Sequence, residues 1–220
     1  MAVKTLQVNK DILSANDLLA DNLRARFDHS KVFVMNLMSS PGAGKTSIIL
    51  RLIESLADKF KIGVIEGDIA SDVDAQKVQK TKVDVVQINT DGACHLDANM
   101  ISLAAENLGI QGKDLLIIEN VGNLVCPAEF RLGENVKVMI LSIPEGHDKP
   151  LKYPLMFTES NALILNKIDL LPYTDFDVEE LQRIVKAMNP SIQIFSVSAK
   201  TGEGIGNLAG WLENQIHQAK

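Results

Sequence analysis

Residues 31–47 read KVFVMNLMSSPGAGKTS, a short apolar run that gives way to a loop of serine, proline and glycine and then to Lys45 and Thr46. An apolar run of this length, bounded by turn residues, predicts a strand covered on both faces. The apolar spacing that follows predicts a helix over 45–58. A strand that ends in SSPGAGKTS (39–47) and opens straight into a helix has the layout of a phosphate loop. The strict pattern has glycine where Ser39 stands, while Gly42, Gly44, Lys45 and Thr46 are in place and Ala43 and Ser47 complete the turn. The glycines let backbone N–H groups turn toward phosphate oxygens, and the helix N-terminus adds positive potential. Lys45 is expected to bridge the β- and γ-phosphates, and the Thr46 hydroxyl to hold Mg²⁺. A dinucleotide-binding turn would want a third glycine near position 47, where Ser47 stands.

Working outward, strand-like runs occur at 61–66, 83–89, 114–120, 136–143, 162–166 and 192–197. Helical spacing separates several of them, over 72–80, 95–108, 177–188 and 204–217, and a leading helix is predicted from about Asp11 to Asp28. Continuous apolar strands alternating with helices predict an α/β fold, a doubly wound and mostly parallel sheet of about seven strands. Residues 1–30 are expected to form an N-terminal helical extension packed on a single P-loop domain at 31–220. In such sheets ligands bind at the carboxyl ends of the strands, so every loop directly after a strand is a candidate wall of the site.

A net charge of −6 argues against a nucleic-acid footprint, which needs clustered excess cations. Two cysteines make no disulfide framework and point to a reducing cytoplasm. No apolar run approaches the roughly 18 residues of a membrane span, and MAVKTLQVNKDIL lacks the layout of a signal peptide. Neither a membrane nor a nucleic acid is an expected partner.

Two later loops bear on which nucleotide is bound. NKID (166–169) follows one strand and SAKTGEG (198–204) follows the next. Asp169 can accept from guanine N1–H and from the exocyclic amine together, an arrangement adenine cannot offer. Asn166 can bond another edge of the base, the Lys167 stem can pack along its face, and the Ala199 N–H can reach the guanine carbonyl. Ser198 and Lys200 flank that N–H. Downstream of a phosphate loop, this order predicts a guanine-nucleotide site.

Mg²⁺ needs hard oxygen ligands besides Thr46. VIEGDIASDVDA supplies Glu66, Asp68, Asp72 and Asp74, and IIENVGNL supplies Glu119 followed by Gly122. Asp68 is expected in the Mg²⁺ shell and Glu119 on Mg²⁺ or the attacking water, which with Lys45 makes the catalytic set. Asp72 fits equally well as a helix cap. No water-orienting residue and no arginine finger stand out, so turnover is expected to be slow.

DGACHLDA (91–98) places Cys94 directly before His95, and Cys126 is the other cysteine. Cys94 and His95 follow the third strand and open a helical pattern, a position that would favour thiolate. Free cysteines also serve simply as buried packing. A nucleophile with its base is the third option, disfavoured because adjacent residues at a helix start seldom aim at each other.

SSPGAGKT, EGDIASDVDA, CHLDA, ENVGNLVCPAEF, NKIDLLP and SAKTGEG, in this order, closely resemble the hydrogenase nickel-incorporation GTPases of the HypB family, from about residue 10 to the C-terminus. The resemblance implies a P-loop G-domain of the SIMIBI type, a GTP/GDP cycle with Mg²⁺, and nickel delivery into [NiFe]-hydrogenase. It also implies a GTP-favoured homodimer, the nickel-binding partner HypA, and the hydrogenase large subunit as recipient. The family's metal ligands match Cys94, His95 and Cys126, for nickel or zinc. Some members carry an N-terminal cysteine-rich site or a histidine-rich stretch; this chain has neither, so nickel storage is not expected.

One chain offers at most three of these ligands, short of a closed four-ligand site. A two-fold dimer would supply Cys94 and His95 twice, and that S₂N₂ shell suits Ni(II) or Zn(II) alike. GTP is expected to join the halves and reposition Cys126 through ENVG. Rival readings are a urease-accessory-type nickel GTPase, which would typically show Cys-Pro-His, a passive metal carrier with a regulatory nucleotide site, and a signalling GTPase with incidental cysteines. PEGHDKPLKYP (144–154) fits either a dimer-facing or nucleotide-covering loop or a solvated connector. His29 and His217 belong to no constellation.

Overall fold

The computed structural model describes residues 8–69 and 73–219. A first helix, α1 (Val8–His29), leads into β1 (Phe33–Ser39) and α2 (Lys45–Leu56), followed by β2 (Ile62–Asp68), α3 (Val73–Gln79), β3 (Asp84–Asn89) and α4 (Ala98–Leu108). The chain continues through β4 (Leu115–Glu119), α5 (Cys126–Glu129), β5 (Val136–Ser142), α6 (Lys149–Lys152), α7 (Pro154–Thr158) and β6 (Ala162–Asn166). It ends with α8 (Val178–Met188), β7 (Gln193–Ser196) and α9 (Ile205–Gln218). The strands form one seven-stranded sheet in the order β3-β2-β4-β1-β5-β6-β7, with every pairing parallel. Each run read as a strand forms one, with ends displaced by a residue or two.

Every residue of β1 is buried, because β1 lies at the centre with helices on both faces. Phe33, Met35 and Leu37 face Ile48, Ile49 and Leu52 of α2 and Leu208 and Leu212 of α9. Val34 faces the other way, with Leu23 and Phe27 of α1 and Ile101 and Ala105 of α4. Further along that face, Met38 and Met139 pack with Phe157 of α7 and Leu181 and Val185 of α8. Truncating one of these buried side chains to alanine typically costs about 2–5 kcal/mol, so the apolar run that opens the chain's reading also anchors the sheet. The edge strands β3 and β7 are only part-buried, as their more polar sequences allow.

Two local features differ from expectation. The helix expected from 95 begins at Ala98, because Asp97 takes extended backbone and its carboxylate accepts the Met100 N–H at 2.8 Å. Cys94 and His95 therefore sit on the loop before α4 rather than in its first turn. Secondly, the region from 126 to 158 holds three short helices, α5, α6 and α7, each with proline in its first turn, where the missing N–H costs nothing.

Helix α1 is fastened to the sheet edge that carries these loops. The Asn16 amide donates to the Arg131 carbonyl, and its oxygen accepts the Ala98 N–H, both at 2.9 Å. Among the described residues no helix is long and apolar enough to cross a membrane.

Candidate functional site

Strand β1 delivers Ser39 to the phosphate loop, and Ser39 is fully buried. Its hydroxyl accepts from Lys45 Nζ at 3.3 Å and donates to the Ser40 carbonyl at 2.6 Å. Serine in place of glycine thus holds the phosphate lysine. Gly44 caps α2 with φ of 105° and no side-chain cap, leaving the first N–H groups of α2 for an anion. No side chain fits there: a Cβ on Gly44 would lie 2.5 Å from Asn166 Nδ2.

Asn166 braces two loops. Its amide donates to the Ala43 carbonyl at 2.9 Å and its oxygen accepts the Ala199 N–H at 3.1 Å. In this structure both groups hold the phosphate loop and the SAK loop together. Lys167 has φ of 64°, and its Nζ donates to the Gly42 carbonyl at 2.7 Å, which ties its side chain to the phosphate loop. Asp169 accepts from the Ser198 hydroxyl at 2.6 Å. Arg51 on α2 donates to the Ala199 carbonyl at 2.8 Å and to the Lys200 carbonyl at 3.1 Å. Together Gly44, Ser47, Asn166, Lys167, Asp169, Ala199 and Lys200 line a cleft of about 350 Å³.

The adjoining cleft, about 250 Å³, is lined by Pro41, Gly42, Lys45, Asp68, Asp74, Glu119, Val121 and Gly122. Glu119 accepts from the Thr46 hydroxyl at 3.1 Å and lies 4.0 Å from Lys45 Nζ. Glu66 was one of several acids in its loop. The structure singles it out, because β2 and β4 set it in register with Glu119. The two carboxyls are buried in contact, and Glu66 Oε1 and Glu119 Oε2 meet no donor among the described residues. Burial first, then the Glu119 charge, pushes the Glu66 carboxyl up to about 10 against the pull of Lys45, and burial raises Glu119 too. One shared proton relieves the pair. Orphaned buried oxygens beside Thr46 and Lys45 fit a Mg²⁺ ion, with Thr46, Asp68 and Glu119 the residues that would hold it. Asp74 pairs with Lys77 at 2.6 Å. Asp72, weighed above as a ligand or a cap, lies outside the described residues.

The metal-ligating types converge. One ligand atom each from Cys94, His95 and Cys126 lies within 4.8 Å of the others. Cys94 Sγ is 3.0 Å from Cys126 Sγ and 3.7 Å from His95 Nδ1. The adjacent pair does aim its side chains at one point, because it sits on a loop, where helical geometry does not splay them. Contrary to expectation, Cys94 does not stand at a helix start. Cys126, not Cys94, opens a helix, and the hydrogen bond from Cys94 pushes its thiol up. Phe130 stacks on His95 at a centroid distance of 3.9 Å. Burial lowers the His95 pKa, which favours the neutral imidazole a metal requires. Two sulfurs and one nitrogen make a soft donor set with no fourth ligand among the described residues.

His147 accepts the Asp177 N–H at 3.2 Å and packs edge-on to Phe176, so it serves the local fold. His217 lies beside Phe60 and Glu213.

The model of the CobW/HypB/UreG nucleotide-binding domain matches residues 33–196. The hydrogenase maturation factor HypB of Azotobacter vinelandii is 51% identical over 212 residues, which span 96% of this chain and 70% of that protein. The chain belongs to the HypB family of hydrogenase maturation factors. HypB from Helicobacter pylori, solved in complex with nickel, matches with a TM-score of 0.88 and 37% identity over 93% of this chain and 96% of that one. The signal recognition particle receptor FtsY of Elizabethkingia anophelis shares the fold alone, with a TM-score of 0.57 and 15% identity over 90% of this chain and 73% of that one. The fold is thus the SIMIBI type of P-loop GTPase domain, and family membership supports nucleotide hydrolysis in general.

Residues the sequence did not mark are Glu66 as the partner of Glu119, Arg51, Phe130 and Asn120. Asn120 is a fully buried amide directly after β4. A polar residue ending an apolar strand is a signal for such a position, but only strand register reveals the pairing of Glu66.

Proposed function

We propose that the chain is a GTP-hydrolysing metallochaperone that carries nickel at Cys94, His95 and Cys126 and couples its GTP cycle to nickel insertion into [NiFe]-hydrogenase. One observation carries the reading. The segment from Glu119 to Cys126 starts in the phosphate cleft and ends at the thiol 3.0 Å from Cys94. The backbone N–H groups at the start of α2 and the Lys45 ammonium bind phosphate, and Asp169, held by Ser198, reads guanine. Thr46, Asp68 and Glu119 offer oxygens to Mg²⁺, which when bound neutralises charge between the β- and γ-phosphates. No arginine among the described residues lines the phosphate cleft, which favours slow intrinsic turnover.

Three donors from one chain leave the metal shell short, so a second copy completes it, Cys94 and His95 from each protomer making S₂N₂. GTP favours that dimer. Zinc fits the same donors, and nickel is the cargo that the hydrogenase role selects. HypA is the nickel-binding partner and the hydrogenase large subunit the recipient. Two thiols this close stay free only in a reducing compartment, in keeping with the cytoplasm. Helix α1 is an extension of one P-loop domain.

Turnover and metal transfer measured together in Lys45→Ala test this reading. Hydrolysis should fall about 100-fold or more, and GTP should no longer alter nickel transfer to apo-HypA. Transfer that never depends on GTP, in wild type as in the variant, would identify a passive carrier instead.

A further inference from the structure

The residue after His95 is gripped from both acid-bearing strand ends. Leu96 is fully buried, and its backbone N–H donates to Asn120 Oδ1 at 3.2 Å. Its side chain rests on Gly67 at the end of β2, so tightly that a Cβ there would lie 2.7 Å from Leu96 Cδ1. Asn120 directly follows Glu119, and its own N–H donates to the Leu37 carbonyl at 3.0 Å. The Asn120 oxygen also accepts the Val121 N–H at 3.0 Å, and its amide donates to Asn36 Oδ1 at 3.2 Å. The Asn36 amide in turn donates to Glu134 at 3.2 Å, and Glu134 accepts the Leu132 N–H at 2.6 Å. Asn36 and Asn120 are both 0% exposed, so this is a chain of buried polar groups in which each member depends on the next. Two residues on, Gly122 lies against the phosphate loop, where a Cβ would meet Pro41 N at 3.0 Å.

What the amide does is join the strand end that carries Glu119 to the backbone of the metal loop. We propose that Asn120 is the positioning residue that transmits the nucleotide state to the metal ligands, through its bond to the Leu96 N–H. When the phosphate cleft fills, a displacement of Glu119 and Val121 carries the Asn120 side chain with it. Leu96 then moves His95 and Cys94 relative to Cys126. The inference rests on the coupled reading above and names the joint through which it acts. Asn123 makes a second, exposed hold on the same loop, donating to the Cys94 carbonyl at 3.3 Å. It lies beyond the buried joint and serves as the control.

The test is Ni²⁺ titration of the full chain with Mg²⁺–GDP and with a Mg²⁺-bound non-hydrolysable GTP analogue, in wild type, Asn120→Ala and Asn123→Ala. Wild type should show a ratio of nickel affinities between the two states within about 5- to 150-fold. In Asn120→Ala the ratio should fall to about twofold or less, while each nucleotide still binds. By reciprocity, the effect of Ni²⁺ on nucleotide affinity should shrink by the same factor. Asn123→Ala should weaken nickel binding alike in both states and keep the wild-type ratio. A purely structural role for Asn120 would lower both affinities together and leave the ratio intact, which overturns the inference. If wild type itself shows no ratio, the coupled function fails before the joint is in question. Should Asn120→Ala not fold, Asn120→Ser also removes the bond to Leu96 while keeping a small polar group, and the same outcomes decide.

Discussion

The two halves of the strand-end edge are built on opposite plans. On the NKID and SAK side, Asn166, Arg51, Lys167 and Ser198 tie the loops to one another by bonds of 2.6–3.1 Å, so the pocket is braced by its own side chains. On the phosphate and metal side, key groups are left incomplete. Among the described residues, two carboxyl oxygens are buried without donors, and three metal-ligating side chains converge without a fourth. The difference teaches where specificity and response reside. A pre-braced pocket binds its ligand at little ordering cost. A site finished only by its ligands changes state when they bind or leave.

The largest effect should come from the incomplete side. Cys94→Ala should lower nickel affinity about 100-fold or more, beyond the 10–100-fold typical of outer-sphere changes, while GDP binding stays as in wild type. Isothermal titration with Ni²⁺ and then GDP checks both; loss of GDP affinity would break the division between the halves. Next in size is Arg51→Ala, which strips bonds from two carbonyls of the SAK loop without touching nucleotide. GDP affinity should fall about tenfold, corresponding to about 1.4 kcal/mol. Nickel affinity in the nucleotide-free chain should not change. An unaltered dissociation constant for GDP would show that the bracing on that side is dispensable.

The smallest effect is a pH slope. Glu66 titrates at about 10 in the folded chain against 4.5 when exposed. Between those values the folded chain binds more protons than the unfolded one, so stability present below the lower value is lost as pH rises through the upper. Without nucleotide or Mg²⁺, the melting temperature should fall by a few degrees from about pH 6 to about pH 9, and Glu66→Gln should flatten that slope. A wild-type slope of the opposite sign would mean that the pair is not a shared-proton dyad.

Much of this was legible in the sequence because the signals were local. The β1 run, the glycines of the phosphate loop and the order of NKID and SAK each describe a loop by its own residues. Cys94, His95 and Cys126 are rare types on loops that a parallel sheet places on one edge. What was not legible depends on register and on side-chain direction. Glu66 became a partner of Glu119 only when β2 and β4 paired, and the bracing of two loops by Asn166 showed only once its neighbours were in place. The start of α4 moved because a cap at Asp97 outweighed apolar periodicity that extends back through Leu96.

The central claim is that the nucleotide controls a metal site shared by two copies of the chain. Nickel stoichiometry, measured with mass by light scattering in the GDP and GTP-analogue states, tests it most directly. A dimer is expected in the GTP-analogue state with one nickel per two chains, and a different affinity in the GDP state. One nickel per chain with equal affinity in both states, whatever the mass, would contradict it.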